Sequence, residues 1–196
     1  MHRQPLLQML ARYLAEYSGE AATVAQITDL VNSSPDCFER TCHPGHITGS
    51  AWVLSHDRTE CLLVHHRKLN RWLQPGGHAD GESDIEAVAL REAQEESGLQ
   101  RLAVQHRDGP LAPREPLLPL DIDVHEIPER IDRAGNVLER AHEHHDIRFL
   151  LVAAAGQQLV LSDESHDLRW FSREELLNIT DEPSLLRMMH KAGPYA

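Results

Sequence analysis

The feature that most constrains the fold of this chain is a group of three glutamates in one short segment. Glu92, Glu95 and Glu96 are spaced i, i+3 and i+4, which places their carboxylates on one face of an α-helix. Three negative charges so close together repel one another unless a cation neutralises them, and hard divalent cations such as Mg²⁺ and Mn²⁺ prefer oxygen ligands. The spacing alone is more typical of a solvated acidic helix face, so the surrounding residues have to decide.

The residues around the glutamates predict both ends of this helix. Ser83 and Glu86 have the spacing of a capping box, which predicts a helix start. Gly98 stands where a helix commonly ends in a left-handed residue. We therefore expect a helix over 84–97. Just upstream, the two glycines at 76–77 allow backbone conformations that other residues resist.

The segment from Arg91 to Leu99 resembles a known family motif. It reads Arg-Glu-Ala-Gln-Glu-Glu-Ser-Gly-Leu and matches the core of the Nudix box, Arg-Glu-apolar-x-Glu-Glu-x-Gly-apolar, at every defined position. Similarity to the Nudix hydrolase superfamily implies an α/β (α+β) fold, a Nudix-type α/β/α sandwich with a mixed sheet between helices. It also implies a pyrophosphohydrolase that uses metal-activated water to cleave a diphosphate bond in a nucleoside diphosphate linked to another moiety.

The same resemblance implies roles for individual residues. Glu92, Glu95 and Glu96 would be catalytic. They would also bind Mg²⁺ or Mn²⁺, together with a backbone carbonyl at Gly76 or Gly77.

The part of the motif before the helix is irregular. Counting back from Arg91 places Ser83 at the position of the first glutamate of the box, whereas counting forward from Gly76 places Glu82 there. Arg91 is expected to be mainly structural and to hold the carboxylates by ion pairing.

A downstream segment also resembles the family. Glu164 lies in a loop before the strand that contains Trp170, where Nudix sequences often carry a further acidic residue. Glu164 is therefore a candidate catalytic residue, as a fourth carboxylate or as the base. An ordinary loop glutamate is an equally good interpretation.

Alternating residues indicate a second polar cluster. They belong to two candidate neighbouring strands: His142, His144, Asp146 and Arg148 on one, and Asp121, Asp123 and His125 on the other. Residues at i and i+2 share one face of a strand. If the two strands pair, imidazoles and carboxylates lie side by side, and that ligand set suits Zn²⁺, Mn²⁺ or Fe²⁺.

A more distant resemblance, to isopentenyl diphosphate isomerases, implies which residues would hold a second metal. The similar segments are the one that begins at His46, the pair Gly77-His78, and residues 144–146. They imply a second transition-metal site formed by His46, His78, His144 and Asp146. The catalytic cysteine of the isomerases falls on Gly76, which disfavours isomerase chemistry. Alternatively, these groups bind a phosphate or one another, or lie on the surface.

Four basic residues are candidate phosphate-binding residues: Lys68, Arg71, Arg130 and Arg148. The expected partner is a small-molecule diphosphate substrate that is a nucleotide derivative. Because the net charge is −12, general nucleic-acid binding is disfavoured. A cation can nevertheless bring an acidic protein and a phosphate together. The sequence leaves the oligomeric state open.

Other features of the composition bear on the cellular location of the protein. No run of about 18 apolar residues exists, so we expect no membrane-spanning helix. The three cysteines do not form the pattern of a disulfide framework. We therefore expect a cytoplasmic location.

Periodicity divides the chain into two parts. Helical spacing over 5–17 and 20–32 predicts an N-terminal helical extension at 1–42, followed by the Nudix hydrolase domain at 43–196. A further helix is expected to begin with a capping box at Ser172, and a last one near Pro183. Strands are expected at ITGSAWVLS, ECLLVHH, and residues 102–106, 121–127, 146–154, 159–162 and 168–171.

Two rival functions remain from the sequence. One is a non-catalytic, nucleotide-sensing Nudix-fold module, which the intact set of box glutamates disfavours. The other is an isopentenyl diphosphate isomerase-like enzyme, which the missing cysteine disfavours.

Overall fold

The computed structural model describes residues 2–106, 109–110, 117–132, 134–163 and 165–193. Within these ranges the chain has the following elements: α1 Gln4–Glu16, α2 Ala21–Ser33, β1 Gly45–Leu54, β2 Glu60–His66, β3 Arg71–Leu73, β4 Gly76–His78, α3 Ile85–Ser97, β5 Leu102–His106, β6 Gly109–Pro110, β7 Asp121–Ile127, β8 Arg130–Ile131, β9 Val137–Glu139, β10 His142–Ala153, β11 Ser165–Ser172, α4 Arg173–Ile179 and α5 Pro183–Lys191.

The centre of the molecule is a mixed sheet, as predicted. Its strands run in the order β11-β2-β1-β10-β5-β6, with β3 paired to β2, β4 to β1 and β7 to β10. The central strands β1 and β10 are parallel and stay in register from Gly45 opposite Glu143 to Leu54 opposite Val152. The other pairs in this sheet are antiparallel. Every residue of β1 is buried, as expected for a strand covered on both faces.

Helices cover both faces of β1, and the alternation of its side chains shows how. Ala51 and Val53 pack in one cluster with Ala93 of α3. Trp52 packs in another cluster with Met188 of α5. The result is the predicted sandwich of helices, sheet and helices, because neighbouring residues of a strand point to opposite faces.

The N-terminal helices share a core with the rest of the chain. Tyr13 of α1 and Ile27 of α2 are fully buried in one cluster with Val88 of α3 and with Phe149 of β10. Lys191 of α5 fastens the same helices at the other end, with its ammonium group 2.5 Å from the Tyr13 hydroxyl and 2.5 Å from a Glu20 carboxylate oxygen. The extension is therefore packed onto the sheet domain.

The predicted ends of the helices are partly confirmed. Ser172 and Glu175 form the expected reciprocal capping box of α4. Gly98 ends α3 in the left-handed conformation with φ of 73°. The capping box predicted at Ser83 is wrong, because Asp84 is the N-cap of α3 and accepts a hydrogen bond from the Ala87 N–H at 3.2 Å. A carboxylate one residue nearer to the helix takes the role that the sequence pattern gave to Ser83.

Most of the predicted strands are confirmed. ECLLVHH is β2, and the expectations at 102–106 and 121–127 match β5 and β7. The strand expected over 146–154 begins earlier, at His142, and the one over 168–171 begins at Ser165. Residues 159–162 form no strand. Among the described helices, none is long and apolar enough to span a membrane.

Candidate active site and a neighbouring histidine cluster

Helix α3 places its glutamates against β4. A Glu96 carboxylate oxygen accepts a hydrogen bond from the backbone N–H of Gly76 at 3.0 Å. Glu92 lies against Gly77 so closely that a Cβ atom there would come within 2.4 Å of its carboxylate. We call Glu92, Glu95 and Glu96 the carboxylate cluster. The structure brings it together with the two glycines that the sequence pattern singled out.

Arg91 ties this cluster to β4. Its Nη1 atom lies 2.6 Å from Glu92 Oε1 and 3.5 Å from Glu95 Oε2, and its Nη2 atom donates to the His78 carbonyl oxygen at 3.1 Å. One guanidinium therefore contacts two carboxylates and one strand. This is the ion pairing that the sequence motif implied for Arg91.

Burial differs within the carboxylate cluster. The Glu92 side chain is 15% exposed and the Glu95 side chain is 61% exposed. Burial raises the pKa of Glu92, the Arg91 charge opposes this shift, and the charge of Glu95 adds to it. The cluster is thus a group of carboxylate oxygens at the edge of the protein interior, where a hard divalent cation would offset the mutual repulsion.

The acids outside the box core are placed differently. Glu82 accepts a hydrogen bond from the Asp84 N–H at 2.9 Å and so supports the start of α3. Ser83, the other candidate for the first glutamate position, carries no carboxylate. Glu164 lies outside the described residues, and its catalytic role stays a prediction.

A second polar group is built from strands. Its members are the imidazoles of His46 on β1 and of His142 and His144 on β10, whose ring nitrogens can be chosen to lie within 4.8 Å of one another. His78 of β4 joins them, with its ring centre 5.1 Å from those of His46 and His144. We call these four residues the histidine cluster. The parallel register explains it, because His46 stands opposite His144.

The cluster agrees only in part with the second metal site that the sequence suggested. His46, His78 and His144 come together as expected. Asp146 has other partners: its carboxylate accepts hydrogen bonds from Thr48 and Ser50, at 3.0 and 2.7 Å, and pairs with Arg148 at 2.8 Å. These partners already satisfy Asp146. His142, left out of that set, shares the i, i+2 alternation with His144, a signal that could have included it.

Burial favours the neutral form of His46, His78 and His144. It lowers the pKa of His46 to about 4 and that of His144 to about 2, and in both residues the neighbouring histidines push in the same direction. Burial also lowers the pKa of His78. The backbone carbonyl of Cys42 opposes the shift at His46. Neutral imidazole is the form that binds metal ions.

Beside the histidine cluster lies a buried group that we call the aspartate–arginine network: Asp121, Asp123, Asp146, Arg148, Arg187 and Lys191. The pairing of β7 with β10, which was the condition for the second polar cluster expected from the sequence, is present and creates this network, since Asp123 stands opposite Asp146 and Asp121 opposite Arg148. Arg187 and Lys191 come from α5 and bind Asp121 at 2.8 and 2.7 Å. Neither residue was expected here, because no local pattern links α5 to β7.

The candidate phosphate ligands are dispersed. Lys68 is exposed in the turn after β2, Arg71 pairs with Glu182, and Arg130 pairs with Glu139 at 2.9 Å on the β8–β9 hairpin. The interpretation of Arg148 as a phosphate ligand is corrected: its side chain is 2% exposed, and its three nitrogens bind Asp121, Asp123 and Asp146. Its charge is already neutralised inside the protein.

Comparisons with known proteins agree with this geometry. The family model described as NUDIX domain matches residues 46–192. A NUDIX family hydrolase from Clostridium perfringens is 21% identical with a TM-score of 0.54, and the match covers 75% of this chain and 95% of that one. A C. elegans Ap4A hydrolase, solved as a binary complex, is 17% identical with a TM-score of 0.51, covering 74% and 93%. These two likenesses show a shared fold. A comparison with curated proteins finds no match.

Proposed function

Since this chain belongs to the NUDIX domain family of hydrolases, we propose that it cleaves the P–O–P bond of a nucleoside diphosphate linked to another moiety, by attack of water on phosphorus. The observation that carries this proposal is the arrangement of α3 against β4. Glu92 and Glu96 meet Gly77 and Gly76 there, and Arg91 joins the helix to the strand.

The residues of the carboxylate cluster fit a hard divalent cation. Glu92, Glu95 and Glu96 would hold Mg²⁺ or Mn²⁺, with a backbone carbonyl at Gly76 or Gly77 as a further oxygen ligand. The fit is supported by the donor set, which is all oxygen, and by the close approach of the Glu92 carboxylate to Gly77, where a side chain would overlap it. When bound, such an ion supplies positive charge to the diphosphate and lowers the pKa of water.

A side chain of the protein accepts the proton that the attacking water releases. Attack by water forms one P–O bond and breaks the bond to the leaving phosphate, and the water proton passes to a carboxylate. Glu92 is our candidate for this role, because it is the more buried of the two carboxylates that Arg91 contacts and a positioned carboxylate can act as a general base. Arg91 fixes the orientation of Glu92. Glu164 remains the other candidate base.

The surrounding chain is assigned by the same proposal. Residues 43–196 form the catalytic domain, and residues 1–42 form a helical extension packed onto it. The substrate is a small diphosphate compound, because the net charge of −12 disfavours binding to a nucleic-acid backbone. Three buried free thiols, Cys37, Cys42 and Cys61, support a cytoplasmic location.

A substrate screen tests the proposal. The panel contains ADP-ribose, nucleoside diphosphate sugars, dinucleoside polyphosphates and nucleoside triphosphates, each with Mg²⁺, with Mn²⁺ and with chelator. We expect cation-dependent turnover of at least one compound, and its loss in Glu95→Gln and Glu96→Gln. Glu86→Gln, in the first turn of the same helix, is the matched control and should keep the activity.

Two results would contradict the proposal. Full turnover in both Glu95→Gln and Glu96→Gln would remove the assigned roles. If the folded protein binds nucleotides but hydrolyses none of them, the chain is a sensing module instead.

A further inference from the structure

We propose that His46, His142 and His144 bind a divalent first-row transition-metal ion, best represented by Zn²⁺, at a site separate from the carboxylate cluster. The proposal does not depend on the hydrolase function. It rests on the spacing of the ring nitrogens, on their hydrogen bonds and on the chemistry of the donor set.

The spacing of the nitrogens suits a small ion. The Nε2 atoms of His142 and His144 lie 3.2 Å apart. Zinc–nitrogen bonds of about 2.0–2.1 Å in a tetrahedral arrangement place two ligands roughly 3.3 Å apart. A nitrogen of His46 completes a set within 4.8 Å. Small side-chain rotations would bring the third nitrogen to the distance of the first two.

The hydrogen bonds of His142 leave a lone pair aimed into the cluster. Its Nδ1 atom lies 2.8 Å from the Arg140 carbonyl oxygen, which can only accept, so Nδ1 carries the proton. In the tautomer that carries its single proton on Nδ1, Nε2 presents its lone pair to His144. A backbone carbonyl that fixes the outer nitrogen is the usual support of a metal-binding histidine.

His46 provides an independent observation. The residue is 1% exposed, and neither of its ring nitrogens makes a well-aligned hydrogen bond with any part of the chain that the structure describes. Leaving a buried polar group without a partner costs free energy, so such groups call for an explanation. An ion in contact with one ring nitrogen would give a partner to one of these two buried atoms.

The donor set indicates the class of metal. All three proposed ligands are imidazoles, and His78 of β4 is the candidate fourth, with its ring centre 5.1 Å from those of His46 and His144. Imidazole ligands suit Zn²⁺ and its neighbours in the first transition row, whereas Mg²⁺ prefers oxygen. The two sites are therefore expected to select different ions. A bound ion would link β1 to β10 and, through His78, to β4.

Metal titration of the full chain tests the site. Protein stripped with a chelator is titrated with Zn²⁺ by calorimetry and with Co²⁺, whose visible absorption reports its ligands. We expect one tightly bound ion per chain, and a loss of affinity of roughly 100-fold or more in the double variant His142→Gln/His144→Gln. His65→Gln is the control, since its ring packs on Trp72 outside the cluster, and it should bind as the unmodified chain does.

Several outcomes would overturn the proposal. One is undiminished Zn²⁺ affinity in the double variant, and another is loss of the tight site in Glu95→Gln/Glu96→Gln, which should retain it. If the histidine variant fails to fold, X-ray absorption on the zinc-loaded unmodified chain decides. We expect at least three imidazole nitrogens around zinc, and a shell of oxygen alone would refute the site.

Discussion

The carboxylate cluster and the aspartate–arginine network each gather three acidic side chains, yet they treat them in opposite ways. In the network, a single carboxylate, that of Asp121, receives hydrogen bonds from three cations: Arg148, Arg187 and Lys191. In the cluster, the ion pairs described for Glu92 and Glu95 come from one guanidinium, Arg91. The network is largely buried and matches its three carboxylates with three cations, whereas the cluster is graded in exposure and rich in negative charge.

This difference separates acids that hold the fold from acids that are poised for chemistry. A buried charge is tolerated when partners surround it, and removing one partner leaves the others uncompensated. An acidic group with few cations nearby is less stable by itself and is ready to receive one. Substitutions in the cluster should therefore change activity, and substitutions in the network should change stability.

The largest effect is expected for Glu92→Gln. Loss of a general base typically lowers the rate about 10²–10⁴-fold, so kcat should fall by that factor on whichever substrate the screen identifies. Stability should stay equal or rise, because one of three like charges is removed. Steady-state kinetics and urea unfolding measure the two quantities. A clear loss of stability without loss of rate would mean that Glu92 supports the fold, as the acids of the network do, and not the reaction.

Arg148→Met should have the opposite profile. It leaves Asp121, Asp123 and Asp146 without their shared cation, and the free energy of unfolding should fall by about 3–5 kcal/mol. Arg130→Met breaks an exposed pair with Glu139 and should cost no more than about 1 kcal/mol. Chemical denaturation of both variants measures the two losses of stability. Equal losses would contradict the prediction.

Gly77→Ala tests how closely β4 fits the carboxylate cluster. The new methyl group would overlap the Glu92 carboxylate, and a displacement of about 1 Å can lower the rate roughly 10²-fold. Gly19→Ala meets nothing within 4 Å and should leave the rate unchanged. Kinetics of the two alanine variants would show whether the close approach matters; similar rates would mean that Glu92 can move without harm.

The smallest expected effect concerns acid stability. Burial would raise the pKa of Asp123, but His125, Arg148 and Arg187 hold that pKa well below its ordinary value of 3.8. A depressed carboxylate pKa contributes stability above the ordinary value, and that contribution disappears as the pH falls toward the folded-state pKa.

Asp123→Asn should accordingly be less stable than the unmodified chain at pH 7, by about 2 kcal/mol. The gap should narrow as the pH falls below 3.8. Unfolding curves at a series of pH values check this, and a gap that is constant with pH would show that Asp123 gains nothing from its charge.

The sequence predicted what is local and missed what is distant. Glu92, Glu95 and Glu96 belong to one helix, so their spacing alone placed them on a common face. The detail that failed, the cap at Ser83, concerned which of two neighbouring polar residues starts the helix. Local competition of this kind is decided by backbone geometry that spacing does not fix.

The strand-built clusters were harder to predict. Alternation placed the polar residues of β7 and of β10 each on one strand face, but the parallel pairing of β1 with β10 joins segments that lie far apart along the chain. Ser50 thus binds Asp146 across 96 positions. This contact gives Asp146 a partner other than the histidines. No pattern in the sequence near Asp146 predicts it. Arg187 and Lys191 of α5, which bind Asp121, could not be predicted from the sequence for the same reason.

The contact of Lys191 with Tyr13 joins residues 178 positions apart. During synthesis α1 and α2 leave the ribosome well before Lys191, the residue of α5 that binds Tyr13. The two helices can form early, but they cannot be locked in place until translation has passed Lys191. Until then the apolar residues of α1 and α2 lack part of their final cover, so this packing is a late step in the assembly of the chain.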